Sequence, residues 1–127
     1  MVYFDGRSQA EAFVAAVNGH ATALSTVNSI TATVAGSGGD PLFGGLMRGI
    51  GGLSIRDRSN AEIAMLRDTI GASGSRLRLI GVGGVSTAAD VRARLAAGAH
   101  HVQIATAAML DPEVGMRIRR ELAAADT

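Results

Sequence analysis

The sequence predicts an α/β protein, half of a TIM (β/α)8 barrel with parallel strands inside and helices outside. Three observations carry that prediction. Strand and helix patterns alternate along the chain, which implies right-handed βαβ crossovers. The strands are small or apolar on both faces, as strands of a parallel sheet are. Finally, 127 residues is close to half of the roughly 250 that a complete barrel takes.

Taken in order, Val2-Tyr3-Phe4 is a short apolar start, the tail of a strand, broken by Asp5-Gly6. Ser8 then caps a helix, with Glu11 completing a capping box, Ala12, Phe13, Ala16 and Val17 on one face and Asn18-Gly19 at the end. Ala21 to Val27 reads as a buried strand with Asn28 at its carboxyl end. Residues 29–56 have no clear period and are rich in glycine, a length of loop that is uncommon in a compact domain unless it is functional. It is expected to be the active-site loop of a single partial-barrel domain spanning residues 1–127. Asp57 or Ser59 opens the next helix, whose Ile63, Leu66 and Ile70 keep the helical period until Gly71.

The stretch from Leu77 to Asp90 holds the strongest functional signal. Leu79, Ile80 and Val82 favour a buried strand, whereas Gly81, Gly83 and Gly84 allow a sharp turn and a close approach to a ligand. Ser86 or Thr87 caps the following helix, with Asp90 in its first turn. Val91, Leu95 and Ala96 line that helix, Gly98 ends it, and Val102 to Ala105 is another short strand, ending at Thr106. Asp111-Pro112 begins the last helix, with Val114, Ile118 and Leu122 inward. Barrel enzymes bind ligands at the carboxyl ends of their strands, commonly a phosphate between the last two. Gly83-Gly84 and Ala105-Thr106 together make a phosphate cup of amides and a hydroxyl. A tight strand-to-helix turn without a ligand is the plainer alternative.

Composition narrows the partners. Net charge is +1 from 12 basic and 11 acidic residues that are interspersed, so no nucleic-acid footprint or membrane arm stands out, and a small-molecule ligand fits better. No apolar run approaches the roughly 20 residues of a bilayer span. Cysteine is absent, and the N-terminus lacks the regions of a signal peptide, so a cytoplasmic location is expected. His20, His100 and His101 sit at strand starts, opposite the ligand end, without the spacing of a metal site. Arg117, Arg119 and Arg120 with Glu113 and Glu121 suggest a solvated helix face, and Met109 and Met116 helix packing.

Four motifs resemble, in order and spacing, the C-terminal half of a class 1 dihydroorotate dehydrogenase. They are Asn28-Ser29-Ile30 after a strand, Gly49-Ile50-Gly51-Gly52 with Ile55-Arg56, Ile80-Gly81-Val82-Gly83-Gly84-Val85, and Ala97 to Ala107 with its Val102-Gln103-Ile104 core. The resemblance covers most of the chain. It implies a flavoprotein that binds FMN and oxidises dihydroorotate to orotate in pyrimidine biosynthesis. On that footing Asn28, with its neighbour Ser29, meets the pyrimidine substrate, Gly51 and Gly52 pass close to the flavin, and Gly83, Gly84, Ala105 and Thr106 form the FMN phosphate site.

The sequence departs from the family pattern at several points. Ala105 stands where glycine is usual, and Arg56-Asp57 where Lys-Pro is common. The family's flavin-contacting lysine and its Cys or Ser base would fall before Tyr3-Phe4, and the chain has no lysine at all. The expectation is therefore a C-terminal fragment or one part of a split enzyme, without catalytic residues of its own and inactive alone. It would pair as a homodimer or with the complementary N-terminal half. Two other readings stand beside it: a non-catalytic phosphate-binding half barrel that self-associates, and a different phosphate-binding barrel enzyme, such as a synthase or isomerase.

Overall fold

A computed structural model describes residues 4–125; the apolar start at Val2-Tyr3 and the last two residues lie outside them. Helix α1 (Arg7–Val17) leads to strand β1 (Ala23–Thr26). Strands β2 (Ile30–Ala32) and β3 (Arg48–Ile50) follow, then helix α2 (Arg56–Ser73) and strand β4 (Arg78–Gly81). The chain closes with helix α3 (Ala88–Ala97), strand β5 (His101–Val102), the short helix α4 (Thr106–Leu110) and helix α5 (Val114–Ala125).

Strands β1, β4 and β5 form one parallel sheet in that order, with Ser25 opposite Ile80 and Ile80 opposite His101. Helices lie between the strands in sequence, as in a partial TIM barrel. One core joins α1, α2 and β4 through Ala10, Val14, Ile63, Leu66, Ile70 and Leu79, all buried. A second joins α3 to α5 through Val85, Ala88, Val91, Val114 and Ile118. Residues Ile63, Leu66 and Ile70 recur at the helical period because that stripe faces the sheet.

Several local expectations change. The N-cap of α1 is Gly6, at φ 144°, so Ser8 lies inside the helix and makes no capping bond. The Gln9 side chain instead accepts from the Asp5 amide at 3.0 Å, and the buried stripe runs through Ala10 and Val14 rather than Ala12 and Ala16. Helix α2 begins at Arg56, ahead of Asp57 and Ser59, and passes through Gly71 to a left-handed cap at Gly74, φ 67°. Met109 and Met116 are exposed.

The segment 29–56 is not structureless: β2 and β3 pair as an antiparallel hairpin, Ile30 opposite Ile50, and a 3-10 turn over Gly52–Ile55 feeds α2. Sequence periodicity could not reveal strands of three residues. On α3 the inward positions are Ala88, Val91 and Arg94, whereas Leu95 is 44% exposed and Arg94 0%. Arginine displaces leucine from the core because a groove and five acceptors await its guanidinium, as described next.

Candidate functional site

The turn after β4 is shaped by what each glycine touches. At Gly81 a Cβ would strike the side chain of Arg94, so this glycine is a groove for the arginine stem. Gly83 and Gly84 hold φ +101° and +73°, and a Cβ at Gly83 would collide with the Val27 carbonyl oxygen; one at Gly84 would lie 2.6 Å from the Arg56 backbone. All three are required by the protein itself.

Arg94 reaches under this turn. Its guanidinium donates to the Val82 carbonyl at 2.9 Å and the Gly83 carbonyl at 2.7 Å, to Asn60 Oδ1 at 2.7 Å and to the Ser59 hydroxyl. The Arg56 carbonyl lies at 3.5 Å, the limit of a bond. Ser59 in turn donates to the Val82 carbonyl at 2.6 Å. Burial pulls the Arg94 pKa below its ordinary value, with nearby Asp90 acting the other way.

With the carbonyls drawn back, the amides of Gly83, Gly84 and Val85 have no acceptor among the described residues. Just beyond, Thr87 is the cap, one of the two residues that the sequence offers, and Asp90 in the first turn closes a capping box with it. Its Oδ2 accepts from the Ser86 and Thr87 amides, each at 3.0 Å, and from both hydroxyls, at 3.2 and 2.8 Å. Burial pushes the Asp90 carboxyl up, but these donors outweigh it and hold it below the usual aspartate range. Arg56 Nη1 stands 3.5 Å from Asp90.

The free amides border a cavity of about 200 Å³ whose lining includes Asn28, Gly52, Gly83, Gly84, Ala105 and Thr106, with Val82 and Gln103 among the remaining wall residues. A second, more open cavity of about 650 Å³ adjoins it and shares Asn28, Val82, Gln103 and Ala105. Both lie at the carboxyl ends of the parallel strands, where barrel ligands bind. Asn28 is exposed and its amide has no partner among the described residues. The buried Thr26 hydroxyl, on the wall of the larger cavity, is likewise unpaired.

Six of the eight residues singled out in the sequence thus meet at one cavity. Ser29 and Gly51 flank it without lining it: a Cβ at Gly51 would lie 3.2 Å from the Asn28 carbonyl oxygen, and Gly52 faces Thr106. Ala105 has φ −125°, outside the left-handed region that would favour glycine there. Gln103, whose side chain accepts from Ser25 at 3.0 Å across the sheet, was within the recognised run but had no role assigned to it. Arg94 gave no signal of its own, because an arginine at a helix position reads as solvated. Ser54 bonds the Gly51 carbonyl at 3.1 Å, and His100 Nδ1 accepts from the Leu79 amide at 3.1 Å; both have structural work.

Comparisons with known proteins give the family. The family model for dihydroorotate dehydrogenase matches residues 5–125. Among curated relatives, a dihydroorotate dehydrogenase (quinone) of Parvibaculum lavamentivorans is 42% identical over 86 residues, covering 63% of this chain and 25% of that protein. The catalytic subunit of a dihydroorotate dehydrogenase B (NAD(+)) of Solidesulfovibrio magneticus is 33% identical over 109 residues, 85% of this chain and 34% of that protein. The crystal structure of the dihydroorotate dehydrogenase of Eimeria tenella in complex with ferulenol shares the fold at TM-score 0.72 and 18% identity, over 92% of this chain and 30% of that one. The chain therefore spans a quarter to a third of the length of these proteins. With nearly all of its described residues inside the family match and its glycine turn, asparagine and Thr106 gathered at one set of strand ends, the chain belongs to the dihydroorotate dehydrogenase family.

Proposed function

We propose that this chain is the FMN-binding, substrate-facing C-terminal half of a class 1 dihydroorotate-oxidising barrel, acting in pyrimidine synthesis in the cytoplasm. The observation that carries this reading is the row of three amides, Gly83 to Val85, without acceptors among the described residues, on a cavity shared with Thr106 and Asn28. Such a row suits the phosphate of FMN, since oriented amides favour an anion without any cationic ligand. Gly83, Gly84 and the amides of Ala105 and Thr106 hold the phosphate, with the Thr106 hydroxyl as a further donor. Gly52, on the cavity wall with Gly51 beside it, passes close to the flavin, and the larger cavity, with Asn28 on its wall, takes the ring and the pyrimidine. Bound there, FMN supplies the acceptor for the hydride of dihydroorotate.

What the chain's residues do is bind and orient. The Asn28 amide offers a donor and an acceptor together, which matches a pyrimidine edge. Proton removal needs a base within about 3 Å of the substrate, and the chain holds no Lys or Cys; Ser54 is tied to the Gly51 carbonyl. Alone, then, this chain binds the flavin and does not turn over.

The test is a titration of the purified chain with FMN and orotate. Flavin retained by the chain, with an absorbance band that orotate perturbs and Asn28→Ala leaves unperturbed, is the expected result. A chain that retains no FMN, alone or with the complementary half of a family barrel, overturns it.

A second reading rests on the sheet edges. Among the described residues β1 and β5 end the parallel sheet, and Leu42, Phe43, Leu46 and Met47 stand exposed between β2 and β3. Open edges and apolar patches favour association, which supports a self-paired phosphate-binding half barrel. A flavin-free dimer by native mass spectrometry would favour that reading; a flavin-loaded chain favours the first.

A further inference from the structure

Of the buried charged groups, Arg94 is the most completely enclosed, and no step of the binding scheme uses it. It is fully buried, yet its hydrogen bonds go to neutral acceptors: two carbonyls of the glycine turn, Ser59, Asn60 and, at the limit, Arg56. Burying a guanidinium is strongly unfavourable unless its donors are satisfied. A leucine or methionine would fill the same groove under Gly81 without that burden.

What leucine could not do is hold the Val82 and Gly83 carbonyls. A peptide plane is rigid, so fixing its carbonyl on one side fixes the next residue's N–H on the other. The pinned Val82 carbonyl sets the Gly83 amide, and the pinned Gly83 carbonyl sets the Gly84 amide. These are the first two of the three amides that lack acceptors among the described residues. Gly83 and Gly84 have no Cβ to restrict rotation, so the turn would otherwise sample other planes. A planar fork with fixed donors suits two successive carbonyls, whereas a lysine ammonium offers one point.

We propose that Arg94 is a positioning residue that aims the Gly83 and Gly84 amides into the cavity and so sets the affinity of the site for a phosphate group. This rests on the phosphate-binding reading above and adds to it the residue that preorganises the cup. Arg94 touches no ligand; it acts from behind the turn, with Ser59 as its partner on α2.

The experiment uses the 127-residue chain and its variants Arg94→Lys, Arg94→Met and Ser59→Ala. FMN and inorganic phosphate are titrated, thermal stability is measured, and the backbone signals of Val82 to Val85 and of Ala105 and Thr106 are followed by NMR without ligand. In Arg94→Met we expect at least a tenfold loss of FMN affinity, and shifted carbonyl signals at Val82 and Gly83. The Ala105 and Thr106 signals should stay in place. Arg94→Lys should recover most of the stability but less than half of the lost binding free energy, and Ser59→Ala should weaken FMN about threefold.

If affinity follows stability across the three variants, or if the ligand-free turn signals do not move in Arg94→Lys, Arg94 is only a core residue and the proposal fails. If the native chain binds neither FMN nor phosphate, the phosphate-binding reading fails and takes the affinity claim with it. The ligand-free signals would then still decide whether Arg94 aims the amides.

Discussion

The turn after β4 and the segment after β5 face each other across one cavity, but they are held in different ways. In the first, Arg94 and Ser59 fix carbonyls, Asp90 gathers four donors, and the glycines press against Val27 and Arg56. In the second, the Thr106 hydroxyl has no partner among the described residues, α4 is five residues long without a side-chain cap, and Leu110 is 84% exposed. One wall is built in advance of any ligand. The other has few internal ties and gains most from one, because a ligand that bridges both walls replaces missing contacts.

The largest expected break in this comparison is Gly84→Ala. Positive φ and a near-contact with the Arg56 backbone together should cost about 3 kcal/mol or more, seen as a lower denaturation midpoint in urea at unchanged slope. A loss under about 1 kcal/mol would mean that the turn is not held as described.

Asp90→Asn comes next. Removing a capping box and a charge-assisted acceptor should cost about 1–3 kcal/mol. The pH dependence checks the cause. A carboxyl held below its ordinary pKa adds stability above the unfolded value, and that stability drains as pH falls through the folded one. Thus the native chain should lose its advantage over Asp90→Asn on acidification. Glu62 should act in the opposite sense. Burial raises its pKa despite the Phe4 amide at 3.2 Å, so its contribution is present at low pH and is lost as pH rises through the folded value. Glu62→Gln should flatten that slope in a pH series of melting temperatures.

On the lightly held wall the effects should move from stability to binding. Thr106→Ala removes one hydroxyl donor and should weaken FMN by about 2- to 10-fold, the equivalent of one hydrogen bond, with stability changed by less than about 0.5 kcal/mol. Smallest of all, Ala105→Gly should change stability by no more than about 1 kcal/mol and leave FMN affinity within about twofold. A gain beyond that in calorimetric titration would mean that the Ala105 methyl crowds the phosphate after all.

Much of the site was legible before the fold. Glycines after an apolar run, a Thr87 and Asp90 pair three apart, and an asparagine closing a strand are local signals, because turns and caps are settled by residues next to each other in sequence. The hairpin within 29–56 was not, since β2 and β3 are three residues each and stand fifteen residues apart in the chain, between Ala32 and Arg48. Nor was Arg94: the helical period alone gave Leu95 the inward place, and only the groove over Gly81 and the acceptors from α2 and the turn reverse it.

The sequence by itself determined the alternation of strand and helix, the inward stripe of α2, the cap of α3 and the residue types at the strand ends. Each depends on periodicity or on neighbours a few positions apart. Tertiary structure decided which side of α3 turns inward, which of the turn's carbonyls are held, and that Asn28, Gly52, Gly84 and Thr106 share one cavity. Those depend on the register of a parallel sheet whose strands lie tens of residues apart, and no local pattern carries that distance.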